Sequence, residues 1–203
     1  MAITIDGSSG IASVDGSAGS PSIRGSDANS GILYTADAIK FSTGGTQRAA
    51  IDNNGLSSTG HVLQHVYADT TTQVANTDGN FTDTGLTANI TPRSSSNKII
   101  ILAQIQFFIM RNATETSMGI KLLRDSTEIM EHSTSPHIEC AVTSQNRIIM
   151  EGCIPFLKSD SPSTTSQITY KIQFRTSVTA NSGEARVQHA SERSTIQLLE
   201  VAG

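Results

Sequence analysis

One stretch narrows the fold more than any other: Asn97–Arg111, NKIIILAQIQFFIMR, the most apolar run in the chain. Taken with a period of two, Ile99, Ile101, Ala103, Ile105, Phe107 and Ile109 form an unbroken apolar face. The opposite face, Ile100, Leu102, Gln104, Gln106, Phe108 and Met110, is mixed. Periodicity alone does not separate a short apolar strand from a buried helix. The load of isoleucine and phenylalanine, and the lack of a helix start or stop signal at either end, favour a strand. Such a strand spans roughly 40 Å at about 3.3 Å per residue. The expectation is a core strand of an antiparallel sandwich. Its second face is too apolar for open solvent and too polar for the middle of a closed core. A surface half covered by a neighbouring subunit suits that mixture, with Gln104 and Gln106 hydrogen-bonding across the contact.

The rest of the C-terminal part follows the same alternation. HVLQHVYA (61–68), GLTANITP (85–92), MGIKLLR (118–124) and TEIMEH (127–132) read as strands, the last two joined by a turn at Asp125-Ser126. PHIECAVT (136–143), RIIMEGCIPFL (147–157), QITYKIQFR (167–175), EARVQHA (184–190) and STIQLLEV (194–201) complete the set. In 167–175, Ile168, Tyr170, Ile172 and Phe174 face inward. The connections, such as Asp69–Asp83 and Lys158–Ser166, are polar. About ten short strands with no helical stretch fit an all-β chain, here an antiparallel two-sheet sandwich of jelly-roll-like type over 61–203.

Residues 1–60 are different. They hold ten of the sixteen glycines but only two aromatics, Tyr34 and Phe41. Short apolar spurts (ITI, IASV, SIR, GILY, AIKF, RAAID) alternate with turn signals such as Asp6-Gly7, Gly44-Gly45 and Asn53-Asn54-Gly55. Asp-Gly and Asn-Gly pairs favour the positive φ of tight hairpin turns. The spacing predicts a run of short strands and hairpins, an intertwined or docking arm, with a flexible Gly/Ser linker as the alternative. Each strand carries two or three apolar side chains, too few to offset chain entropy in one copy. The arm therefore gains its core from other copies of itself or from a larger particle.

Composition excludes several function classes. Net charge is −4 with a pI of about 5.7 and no basic tract, so neither nucleic acid nor an anionic membrane is an expected partner. No apolar run approaches the ~18 residues of a membrane span, and MAITIDGSSG has neither a basic region nor an apolar core of a secretory signal. Synthesis in a cytoplasm and a reduced, buried Cys140–Cys153 pair on neighbouring strands are the matching expectations.

Candidate chemistry is sparse. His61 and His65 have metal-ligand spacing only on a helix; on a strand they stand about 13 Å apart. His132, His137, Glu139, Cys140 and Cys153 lack the paired spacing of a zinc site. There is no GxSxG, HExxH, GxxxxGK[ST] or GxGxxG. Asp78, Asp83 and Asp160 fall in turn-like loops, where local hydrogen bonds are expected. Two carboxylates of a glycosidase can come from distant strands, but a chain with no tryptophan and three tyrosines supplies a sugar-stacking cleft poorly. The reading is non-enzymatic, with no catalytic residue, cofactor or metal assigned.

Two stretches carry a resemblance. Residues 19–55 contain SIRG (22–25), an SGI-aromatic step (Ser30–Tyr34, with Leu33 between) and GGTQRAAIDNNG (44–55). They resemble a module of tail-fibre and structural proteins of marine and cyanobacterial bacteriophages. FTDTGLTANITPRSSSNKIIILAQI (81–105), LLRDSTEI (122–129) and STIQLLEVAG (194–203) resemble a C-terminal β-domain of the same virion proteins. With one copy of each module and no shaft between, the resemblance implies a short appendage. It implies a trimeric capsid decoration or cement protein, or a short fibre, on the particle surface. The arm 1–60 would meet a major capsid or tail protein. The alternative is a tail-fibre module binding a host glycan or surface protein through loops Asp69–Asp83, Asn112–Ser117 and Lys158–Ser166.

Overall fold

A computed structural model of the chain describes residues 15–53, 55–132, 138–144 and 146–203. The spurts ITI and IASV, the turn at Asp6-Gly7, Asn54, His137 and Gln145 lie outside the described residues. Every regular element among them is a strand, apart from a 3-10 turn at His189–Ser191. They divide into two compact units: one reaching Leu63 and including Ala202–Gly203, the other Gln64–Val201.

The first unit is a meander of five strands, β1 (Ile23–Arg24), β2 (Gly31–Thr35), β3 (Ala38–Thr43), β4 (Thr46–Asp52) and β5 (Gly55–Ser57), paired in chain order. Each pairing is antiparallel. Gly44 and Gly45, at φ of 60° and 73°, form the two-residue turn from β3 to β4. Positive φ at both positions gives a turn whose twist matches the strands it joins. On β2, Gly31 has no room for a side chain, since a Cβ there would strike the Ile23 carbonyl of β1. Gly31→Ala is expected to push β1 off the sheet at a cost of about 1–2 kcal/mol. Faster amide exchange at Ile23 and Ile32 checks this, and unchanged protection contradicts it.

The second unit is a sandwich. One sheet has the order β11-β10-β14-β8, from β11 (Thr127–His132), β10 (Glu115–Arg124), β14 (Ile168–Thr176) and β8 (Thr82–Ile90), with β12 (Ile138–Ala141) also on β10. The other has the order β6-β16-β9-β15-β7, from β6 (Val62–Thr70), β16 (Ser194–Val201), β9 (Lys98–Arg111), β15 (Glu184–Val187) and β7 (Val74–Asn76). β13 (Ile148–Asp160) lies along β9. Strands distant in sequence are neighbours, so the connections cross between sheets, as in jelly rolls.

β9 organises this unit. Ile99, Ile101, Ile105 and Ile109 are fully buried, and Ala103 and Phe107 nearly so. They meet Leu86, Met118, Ile120, Tyr170, Ile172 and Phe174 from the facing sheet in one core. One edge of β9 pairs with β13 from Ile99 to Arg111. The other edge takes β16 against residues 98–104 and β15 against 107–110. Between them the Gln106 N–H donates to Ser194 Oγ at 3.0 Å and the Gln188 N–H donates to the Gln106 carbonyl at 3.1 Å. The break in the ladder is thereby sealed. Pro155 lies on β13 opposite Gln104; a residue without an N–H suits an edge strand, where it also blunts further pairing.

Four expectations are corrected. The loop Asp69–Asp83 contains β7, because Asn76 accepts from the Thr176 N–H at 2.8 Å and donates to the Asn80 carbonyl at 2.7 Å; hydrogen bonding, not apolar periodicity, makes this strand. The strand at 184–190 stops at Val187, because Gln188, Ala190 and Ser191 adopt positive φ. β10 and β13 extend into the loops 112–117 and 158–166, to Glu115 and Asp160. Finally, β12 pairs in one sheet and β13 in the other, so the cysteines are not a buried pair. Both are free, Cys140 half-buried and Cys153 exposed.

Candidate interaction surfaces

The faces of the N-terminal sheet follow from its register. Ile23 pairs with Ile32, Ile32 with Phe41, and Phe41 with Ala49. Tyr34 pairs with Ile39, Ile39 with Ile51, and Ile51 with Leu56. Directly paired residues share a face. These eight side chains therefore form two rows on one side of the sheet, with no charge among them. The other side carries Leu33 and Ala50, both buried, with Lys40 between them. The apolar rows are the open side. Ile23 is 44% exposed, Ile39 40%, Phe41 37%, Ile51 45% and Leu56 52%. Sheets normally bury their apolar face and expose the polar one. This one does the reverse.

The two outer faces of the sandwich differ. Outside β14, Lys171 and Gln173 donate to the Asp83 carboxylate at 3.1 and 2.7 Å. Lys121 Nζ and Arg175 Cζ stand 4.1 and 4.7 Å from the centre of the Phe81 ring. This is a solvated, charge-paired face. Outside β9 the middle is uncharged, with Gln104 exposed and Gln106 half-buried. Leu102, 36% exposed, pairs with Leu157 of β13, 69% exposed, and Ile100 pairs with Leu199 of β16. Toward the other end Phe108 is covered by the His189 ring, with centroids 4.4 Å apart, and by the Arg186 guanidinium at 5.3 Å.

Two carboxylates act as braces, one half-buried and one fully buried. Asp160, at the end of β13, accepts two hydrogen bonds from Arg124 Nη1 at 3.0 and 2.9 Å and one from the Tyr170 hydroxyl at 2.7 Å. Arg124 and Tyr170 belong to the facing sheet, so Asp160 clasps the two layers; the expectation of a local turn contact is wrong for it. Burial and the Asp160 carboxylate push the Tyr170 hydroxyl pKa far up. Glu200, fully buried on β16, accepts from the Arg93 N–H at 2.6 Å, Asn97 Nδ2 at 2.7 Å and Gln64 Nε2 at 2.6 Å. It pins the turn that leads into β9. Asp78 does make the local bonds expected of it, to the Asn80 N–H and Asn76, which hold its pKa down. Asp83 works across strands instead.

The remaining candidates do not converge. His65 Nε2 lies 3.1 Å from Gln197 Oε1 on the outer face of β6, and the His61 N–H donates to the Ser58 carbonyl. Among the described residues no three His, Cys, Asp or Glu side chains are placed to hold one metal ion. Although Cys153 is exposed, partial desolvation beside its neighbours raises its thiol pKa, so the thiolate is disfavoured. Sequence reasoning did not single out Glu200, the clasp that Asp160 makes between the layers, or the openness of the N-terminal rows. For the last, the apolar residues stand in the sequence, but the register that puts Ile39 beside Ile51 and Ile51 beside Leu56 does not.

No protein-family model and no curated protein matches the chain. Among solved structures it is similar to an infectious bursal disease virus VP2 subviral particle, at 13% identity and a TM-score of 0.37 over 81% of this chain and 47% of the other. A T=1 particle derived from the same virus gives 12% and 0.36 over 82% and 46%. The T13 particle of that virus gives 12% and 0.35 over 82% and 45%. The chain spans under half the length of these chains. Likeness at these scores carries no weight for function.

Proposed function

We propose that the chain is a non-enzymatic structural protein of a bacteriophage virion, a homotrimer on the particle surface acting as capsid decoration, cement or short fibre. The observation that carries this is the open apolar side of the N-terminal sheet, since contiguous exposed apolar surface of this kind marks interaction sites. The resemblance of 19–55 and 81–105 to phage virion modules supports it. The matching residues are structural: Thr84, at the bulge where Gly85 takes a φ of 80°, donates to the Ile172 carbonyl at 3.0 Å. Ser194 and Glu200 are buried braces in the same way. The N-terminal part attaches the protein to its own copies or to a capsid or tail protein. Deleting residues 1–60 is expected to leave a folded sandwich that no longer enters particles. Normal incorporation of that truncation contradicts the proposal.

The uncharged outer face around Leu102 and Leu157 favours one second reading, a module that binds a host glycan or surface protein. Blocking of phage adsorption by the isolated protein would support it. Loss of capsid stability on removing the protein would favour the cement role.

A further inference from the structure

We infer that the open apolar side of the N-terminal sheet packs against the same side of other copies of this chain. This deepens the assembly reading above by naming the partner, and depends on it only for the virion setting. Three observations carry it. The first is area. Five side chains 37–52% exposed, with the half-buried Ile32, Tyr34 and Ala49 beside them, present roughly 400–600 Å² of apolar surface. Two such faces together bury about 1,000 Å², where specific interfaces begin. The area therefore suffices without any further partner.

The second is charge. A docking surface for a different protein gains orientation and specificity from charges matched across the contact. The two rows Ile23–Ile32–Phe41–Ala49 and Tyr34–Ile39–Ile51–Leu56 offer none. On that side Arg48 lies toward the β3–β4 turn, where its Nε donates to Thr43 Oγ1 at 2.9 Å. The two rows themselves meet their own copy without repulsion even though the chain as a whole carries a net charge of −4. The third is form. The rows lie on a continuous sheet of five paired strands. Such a face stacks on another sheet at about 10 Å, with the two sets of side chains interdigitating. Branched Ile and Leu beside the ring of Phe41 are the side chains that interdigitate in such layers.

The test uses the purified full-length protein with no other virion component present. Light scattering at micromolar concentration is expected to give a multiple of the 21.5 kDa chain mass. Ile51→Lys, and separately Ile39→Lys, place a charge at the centre of the face where the single chain leaves it in water. Each is expected to raise the half-dissociation concentration at least 100-fold while leaving far-ultraviolet dichroism unchanged. Ser126→Lys adds the same charge on an exposed turn of the other unit and is expected to leave the mass unchanged. A monomeric wild-type chain overturns the inference, whether its own N-terminal residues or a different protein covers the face. A multimer that survives both lysines with its fold intact overturns the assignment of the face. A dimer upholds the inference and contradicts the trimer of the proposed function, whereas failure to enter particles touches the virion reading alone.

Discussion

Ile101→Ala is expected to destabilise the sandwich by about 3–4 kcal/mol, lowering the midpoint of its thermal unfolding by roughly 6–12 °C. Ile101 is fully buried at the middle of β9, paired with Lys158 on one side and Leu198 on the other. Both neighbouring strands hold the backbone, so the cavity left by the lost methylene and methyl groups has little freedom to collapse. The adjacent Leu102 points the other way and is 36% exposed. Leu102→Ala is expected to cost less than about 1 kcal/mol. Urea unfolding of the two variants checks the contrast. Equal losses would mean that the strand does not divide its faces as described.

Asp160→Ala is expected to cost about 2–3 kcal/mol, because it removes the carboxylate from an ion pair only partly open to water and leaves the buried Tyr170 hydroxyl without that acceptor. Asp160→Asn keeps a hydrogen-bonding group at the site and is expected to lose about half as much. The same clasp has a pH signature. The Tyr170 pKa is raised above its ordinary 10.0 in the folded protein. The stability tied to that group is therefore present below pH 10 and lost as the pH rises above it, since the unfolded chain releases the proton more readily. Tyrosinate absorbance followed alongside unfolding is expected to show one tyrosine ionising only as the fold opens. If Tyr170 titrates in the folded protein near its ordinary value, the clasp is not closed in solution.

Where a strand buries one face, the alternation of side chains shows it directly. Ile99 to Ile105 on β9 and Ile168 to Phe174 on β14 are legible from the sequence because each buried residue is separated from the next by a more open one. The strand β7 was not legible, since Val74–Asn76 is held by Asn76 to groups far along the chain. Nor was the separation of β12 from β13. Proximity in sequence favours a hairpin, but the chain leaves one sheet and enters the other. Asp160 shows the same limit: its partners Arg124 and Tyr170 are 36 and 10 residues away, and no local pattern joins them. For the N-terminal sheet the apolar residues were visible and their side was not. Deciding that Ile39 and Ile51 face outward required knowing which neighbour each strand takes.

The sharing of β9 among three strands sets an order in time. The meander β1–β5 consists of hairpins between neighbours in sequence, and such contacts form within microseconds once the strands exist. β6 cannot complete its sheet until β16 has been synthesised; Gln64 and Glu200, which bond across this gap, are 136 residues apart. Distant pairing of this kind slows folding, because the closure of the long loop precedes the contacts that reward it. On a translating ribosome the N-terminal sheet can therefore form while the sandwich is still incomplete. Neighbouring nascent chains on one message could begin to associate through Ile39, Ile51 and Leu56 before either has closed its own core.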